Sequence, residues 1–69
     1  MTVLREFREA KGLTVKEISD YSNIPIRTLY DVENGRKGLV AKRAQKIAEY
    51  LGEPVETLFF ATYYRVKLE

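Results

Sequence analysis

The sequence predicts an all-α fold of five short helices followed by a brief C-terminal strand or tail. Three observations carry this. Apolar residues recur at helical spacing in successive short segments, the pattern of helices that each bury one face. Residues that start and stop helices separate those segments: Thr2, Thr14, Pro25 and Pro54 at the starts, with Gly12, Asn23, Asn34-Gly35 and Gly52 at the ends. From residue 62 the apolar period changes from helical to alternating.

Each element follows from its own residues. Thr2 caps a first helix, with Arg5 rather than a glutamate three residues on, so its capping box is incomplete. Leu4, Phe7 and Ala10-Lys11 step at helical spacing and Gly12 ends the element. Thr14 caps a second helix with a complete box to Glu17, and Val15, Ile18 and Ser22 share one face. Asn23 stops it, because asparagine tolerates the left-handed conformation better than most residues. Ile24 is an apolar residue in the turn, expected to be buried. Pro25 fits only near a helix start, so a third helix runs from about Pro25 to Glu33, with Leu29 and Val32 inward. Asn34-Gly35 closes it and Arg36-Lys37-Gly38 forms a basic loop. A fourth helix turns Ala41, Ala44, Ile47, Ala48 and Leu51 inward and Lys42, Lys46 and Glu49 outward. Pro54 starts a short fifth helix whose apolar contacts are Val55, Leu58 and Phe59. In Thr62–Leu68, Tyr64, Val66 and Leu68 alternate with Tyr63, Arg65 and Lys67, which reads as a short strand. Leu68-Glu69 also fits a vector-derived end, which would shorten that strand.

Composition narrows the chemistry. Sixty-nine residues make one domain with marginal stability of its own, so self-association is the expected extra support. The chain has no cysteine and no histidine, which removes disulfides, thiolate ligands and the commonest metal ligand and general base. With no nucleophile–base set and no glycine-rich phosphate loop, an enzyme is not expected, nor is a metal or cofactor. No signal-like or membrane-length apolar run occurs, so a cytoplasmic protein is expected. The net charge is only +2, but residues 26–46 carry six basic and two acidic side chains while the rest of the chain is net acidic. Such an asymmetry orients a protein toward a polyanion, although chance clustering on a solvated face produces it too.

Two short helices joined by a tight turn at residues 14–33, the second followed by a basic loop, form the helix-turn-helix pattern. Its second helix fits the DNA major groove, where each base pair shows a distinct set of donors and acceptors, and nearby cations neutralise phosphates. Gly12-Leu13-Thr14, Glu17-Ile18-Ser19, Asn23-Ile24-Pro25 and Glu33-Asn34-Gly35, in that order and spacing, resemble the Cro/CI-type (XRE) helix-turn-helix family. So do Lys46–Gly52 and Pro54–Phe59, which extends the resemblance over roughly residues 4–60. It implies a lambda-repressor-like DNA-binding domain over residues 1–60 and a small transcriptional regulator of the kind found in bacterial, phage or mobile-element switches. It also implies roles by position. Arg8 pairs with Glu33 to tie the first helix to the end of the recognition helix. Ile26, Arg27, Tyr30 and Asp31 face the groove. Asn34, Arg36 and Lys37 match loop positions near phosphate; apart from the resemblance, Lys16 and Thr28 are further candidate backbone contacts.

Arg27 can reach guanine O6 and N7 as a bidentate pair, and Ile26 a thymine methyl. Tyr30 lies a turn later and either reaches a base or phosphate or packs as a partly exposed aromatic. Asp31 either accepts from cytosine N4 or orients Arg27 four residues earlier. Val15 stands where the family often has a glutamine that bonds phosphate, so Lys16 takes over that contact.

Half of the eight aromatic residues fall in Phe59, Phe60, Tyr63 and Tyr64. A tail over residues 61–69 is therefore a candidate dimerisation strand, with Phe60, Tyr63, Tyr64 and Val66 at the interface of a homodimer. The other reading is a strand that packs back on its own domain. Two further functional readings stay open: an antitoxin-type protein that binds DNA and a toxin, or another protein partner such as an antirepressor, and a protein-interaction module that has lost DNA binding.

Overall fold

The computed structural model describes residues 2–60 and 64–68. Among them are five helices: α1 (Val3–Ala10), α2 (Val15–Ser22), α3 (Ile26–Glu33), α4 (Ala41–Leu51) and α5 (Val55–Leu58). The boundaries obey local chemistry. Thr14 Oγ1 accepts the Glu17 amide N–H at 3.1 Å, and Glu17 Oε1 accepts the Thr14 amide at 2.9 Å, so two otherwise orphaned donors are satisfied at the start of α2. Asn23 ends α2 in the left-handed conformation at φ 60°, and Ile24 behind it is buried. Pro25 precedes α3, which Asn34 ends in an ordinary conformation. The positive φ of that turn falls on Gly35, at 78°, where a side chain would strain the backbone.

Each helix contributes its inner stripe to one core. Leu4, Val15, Ile18, Leu29, Val32 and Ile47 are buried, together with Ala44, Ala48, Leu51 and Leu58. Ala41 is exposed, contrary to its expected inward position, because it is the first residue of α4 and its helical face begins in solvent. Tyr21 and Tyr50 stack with ring centroids 4.4 Å apart and joined planes 26° from parallel, linking α2 to α4 at the surface. Among the described residues no helix is long and apolar enough to cross a membrane.

The described part of the tail packs back on its own domain, the second of the two readings of this segment, and Val66 is not at the interface expected of it. Its described part makes isolated antiparallel bridges, Val66 with Phe59 and Leu68 with Thr2, and no extended strand forms among the described residues. The Lys67 amide donates to Leu58 O, the Phe60 amide to Arg65 O, and the Val3 amide to Lys67 O. Val66 is thereby only 4% exposed and sits in the core of its own chain, not at a surface offered to a partner. Phe59 is equally enclosed. Tyr64 is half-buried, Phe60 is 56% exposed, and Tyr63 lies outside the described residues. The pairing is favourable because it satisfies amides of the chain end while closing the apolar floor beneath α5.

Candidate nucleic-acid interface

The site is built around α3. Its inner face is set by Leu29 and Val32, 2% and 0% exposed, so its rotation about its axis is fixed. Ile26, Arg27 and Tyr30 consequently stand in solvent on the opposite side, and two of them are large apolar or aromatic groups at 40% and 51% exposure. A half-exposed isoleucine and tyrosine flanking an arginine on one helix face form a surface with both apolar and cationic character. Asp31 is half-buried, and its ion pair runs to Arg36, with Nη1 at 3.4 Å. It does not brace Arg27, which corrects that expectation: Arg36 follows Gly35, whose turn brings it back over α3, and the Arg36 amide donates to Asp31 O at 2.9 Å.

The other expected phosphate contacts lie on α2, on α3 and in the turn and loop that follow it. Asn34 donates from Nδ2 to Tyr30 O, holding the last turn of α3 closed, and remains exposed. Arg36 and Lys37 are exposed in the following loop, and Thr28 is half-buried. Lys16 is exposed at the start of α2 and pairs with Asp20 at 3.0 Å across one helical turn, a contact between two largely solvated groups. Val15 beside it is buried and packs in the core.

Behind the face, α3 is tied down at its C-terminal end. Arg8 Nε and Nη2 donate to the two Glu33 carboxylate oxygens at 2.7 and 3.0 Å, a bidentate pair with only 13% and 8% of the side chains exposed. Arg8 Nη1 also donates to Leu13 O at 2.7 Å, so the same guanidinium holds the turn before α2. The hydrogen-bonded Glu33 carboxylate holds Arg8 protonated even more firmly than an ordinary arginine, outweighing the opposing effect of burial. Sequence reasoning missed a second tie: Thr2 Oγ1 donates to Glu33 O at 2.6 Å while accepting the Arg5 amide that starts α1. A threonine at a helix start signals only the cap, so nothing local announced the long-range bond. Turn geometry inside the helix pair is held by Ser19, whose hydroxyl donates to Ile24 O.

This arrangement can lay a helix against a groove while flanking cations meet phosphate. Residues 4–58 match the helix-turn-helix family. The chain belongs to that family. Among its relatives in Bacillus subtilis (strain 168) is an uncharacterized HTH-type transcriptional regulator, RghRB, 39% identical over 59 residues that cover 84% of this chain and 42% of the relative. Another is the HTH-type transcriptional repressor RghR, 38% identical over 63 residues that cover 88% of this chain and 46% of that protein. The chain therefore spans less than half the length of these helix-turn-helix relatives. No solved structure gives a significant match to it.

Proposed function

We propose that this chain binds double-stranded DNA sequence-specifically and serves as a transcriptional repressor, with α3 in the major groove. The observation that carries the reading is the division of α3 into a wholly buried face, Leu29 and Val32, and an exposed face of Ile26, Arg27 and Tyr30, beside the exposed cations Arg36 and Lys37. Membership of the helix-turn-helix family and the name of the repressor relative support it. Ile26, Arg27, Tyr30 and Asp31 read base edges; Lys16, Thr28, Asn34, Arg36 and Lys37 meet the sugar–phosphate backbone. Asp31, neutralised in part by Arg36, approaches the polyanion at lower electrostatic cost than a free carboxylate.

Two copies act together on DNA in this proposal. Phe60, left 56% exposed with Lys67 Nζ 5.6 Å from its ring centre, supplies the apolar contact with half-buried Tyr64 beside it. A two-fold pair presents α3 to half-sites roughly 34 Å apart.

Selection of bound duplexes from a random pool supplies a cognate site. Arg27→Ala then weakens binding to that site by about 1–3 kcal/mol more than to random duplex. Equal losses on both would remove Arg27 from base readout. Failure of the unmodified chain to bind any duplex would overturn the function itself.

A further inference from the structure

The tail beyond the family match reaches the DNA-facing loop. Arg65 Nη1 donates to Gly35 O at 3.1 Å, and Tyr64 O accepts the Leu39 amide at 3.3 Å, so the tail grips the loop at both its ends. The grip is anchored from behind by buried Val66 and by the Phe60 amide on Arg65 O. Its tight geometry is visible at Tyr64, a non-glycine residue held at φ 48°.

The hydrogen bond to Gly35 O occupies one of the five donors of the Arg65 guanidinium. Arg65 is exposed and, among the described residues, has no carboxylate within ion-pairing distance. Its charge therefore stands one residue from Arg36 and two from Lys37 along the loop it holds. Asp31 offsets part of the Arg36 charge but no acid offsets Arg65, and like charges brought near one another raise the local potential and favour an anion that bridges them. Residue 65 lies outside the matched span of residues 4–58, so the match does not assign it a role.

We propose that Arg65 is a DNA-phosphate contact, a cation from the tail that completes one backbone-binding cluster with Arg36 and Lys37. The assignment rests on the DNA-binding reading above. It makes the tail part of the nucleic-acid interface: the tail sets the position of the loop and adds a charge to it.

The test is the salt dependence of binding of the full chain to a random-sequence duplex, measured for wild type, Arg65→Gln, Arg65→Lys and Arg36→Gln. Each phosphate contact contributes about 0.9 to the slope of log K against log salt. Arg65→Gln lowers the slope by about that amount, so its deficit relative to wild type shrinks about 3.5-fold between roughly 50 and 200 mM salt. Arg65→Lys keeps the charge and retains the slope. Circular dichroism and urea midpoints check that each variant is folded. Wild-type slope in Arg65→Gln overturns the assignment, even if affinity falls, and so does a slope lost equally in Arg65→Lys, because either result leaves only loop bracing. Absence of salt-dependent binding in the unmodified chain overturns the DNA reading as well. Normal binding with a reduced slope in Arg36→Gln alone isolates the failure to Arg65.

Discussion

The Arg8–Glu33 pair is the interaction whose removal tests the architecture most sharply. Arg8→Ala deletes two charge-assisted bonds to the carboxylate and the bond to Leu13 O. It leaves a carboxylate with 8% of its side chain exposed facing the space the guanidinium filled. Removing one partner of a buried pair costs about 3–5 kcal/mol. Arg8 retains 13% exposure, so water entering its place relieves part of this, and the expected loss is about 2–4 kcal/mol. A 69-residue domain holds about 3–10 kcal/mol in total, so the variant sits near its folding threshold. Glu33→Gln is milder, about 1–3 kcal/mol, since the amide oxygen still accepts from the guanidinium and the backbone bond from Thr2 survives.

Urea unfolding followed by circular dichroism measures both, at constant m-value. A cycle of Arg8→Met, Glu33→Gln and the double variant Arg8→Met/Glu33→Gln separates pair energy from packing, with an expected coupling of about 1–3 kcal/mol. A loss below about 0.5 kcal/mol for Arg8→Ala, or additivity in the cycle, would place this pair among weak surface contacts and refute the argument.

The pH dependence of the same pair has a definite sign. Folding raises the Arg8 pKa, so its contribution is fully present below the unfolded value and is lost only as pH climbs through the folded one. Wild type and Arg8→Met should therefore differ by a constant stability from about pH 6 to about 10, measured by urea midpoints. Val66→Ala should cost about 2 kcal/mol even at submicromolar chain concentration, because its methyl groups pack within one chain; a loss that disappears on dilution would mean they pack between chains. Tyr21→Ala should cost about 1–2 kcal/mol through the lost stack with Tyr50 and should reduce the near-ultraviolet tyrosine signal. An unchanged urea midpoint would show that the stack is incidental.

The helical body was legible because its signals are local and reinforce one another. The Thr14–Glu17 box, the left-handed Asn23, the Pro25 start and the Leu29/Val32 stripe each depend on neighbours within a turn or two, and each appears where the sequence puts it. The tail was less legible for a physical reason. Alternation at residues 62–68 specifies extended backbone and one apolar face, but it says nothing of which edge accepts that backbone. The edge turned out to be Phe59 and Thr2 of the same chain, which moved Val66 from a surface to the core. Arg65 was hidden by the same ambiguity: an outward arginine on an alternating segment looks solvated until the loop it touches is known. Asp31 shows the complementary failure, since Arg27 was four residues away on the helix while Arg36 returned through a glycine turn that periodicity does not see.

The ties on α3 bear on how variants of this protein are interpreted. Its C-terminal end receives Thr2 from the chain start, Arg8 from α1 and, through Gly35, Arg65 from the tail. Its first turn has no side-chain cap, so the end bearing Arg27 is positioned by the turn and by the rigid end behind it. On the proposed reading, a helix that must meet base edges within about 0.5 Å needs such support, including from residues such as Thr2 and Arg8 that lie behind it. If α3 reads DNA as proposed, loss of Thr2 or Arg8 weakens binding as surely as loss of a contact. The two classes differ in signature. A supporting residue lowers the folded population and scales all affinities alike with the salt slope intact, whereas a phosphate contact lowers the slope with stability intact. Arg8 belongs to the first class by its burial. Arg65, exposed yet bonded to the loop, is the residue on which the two signatures can be told apart within a single side chain.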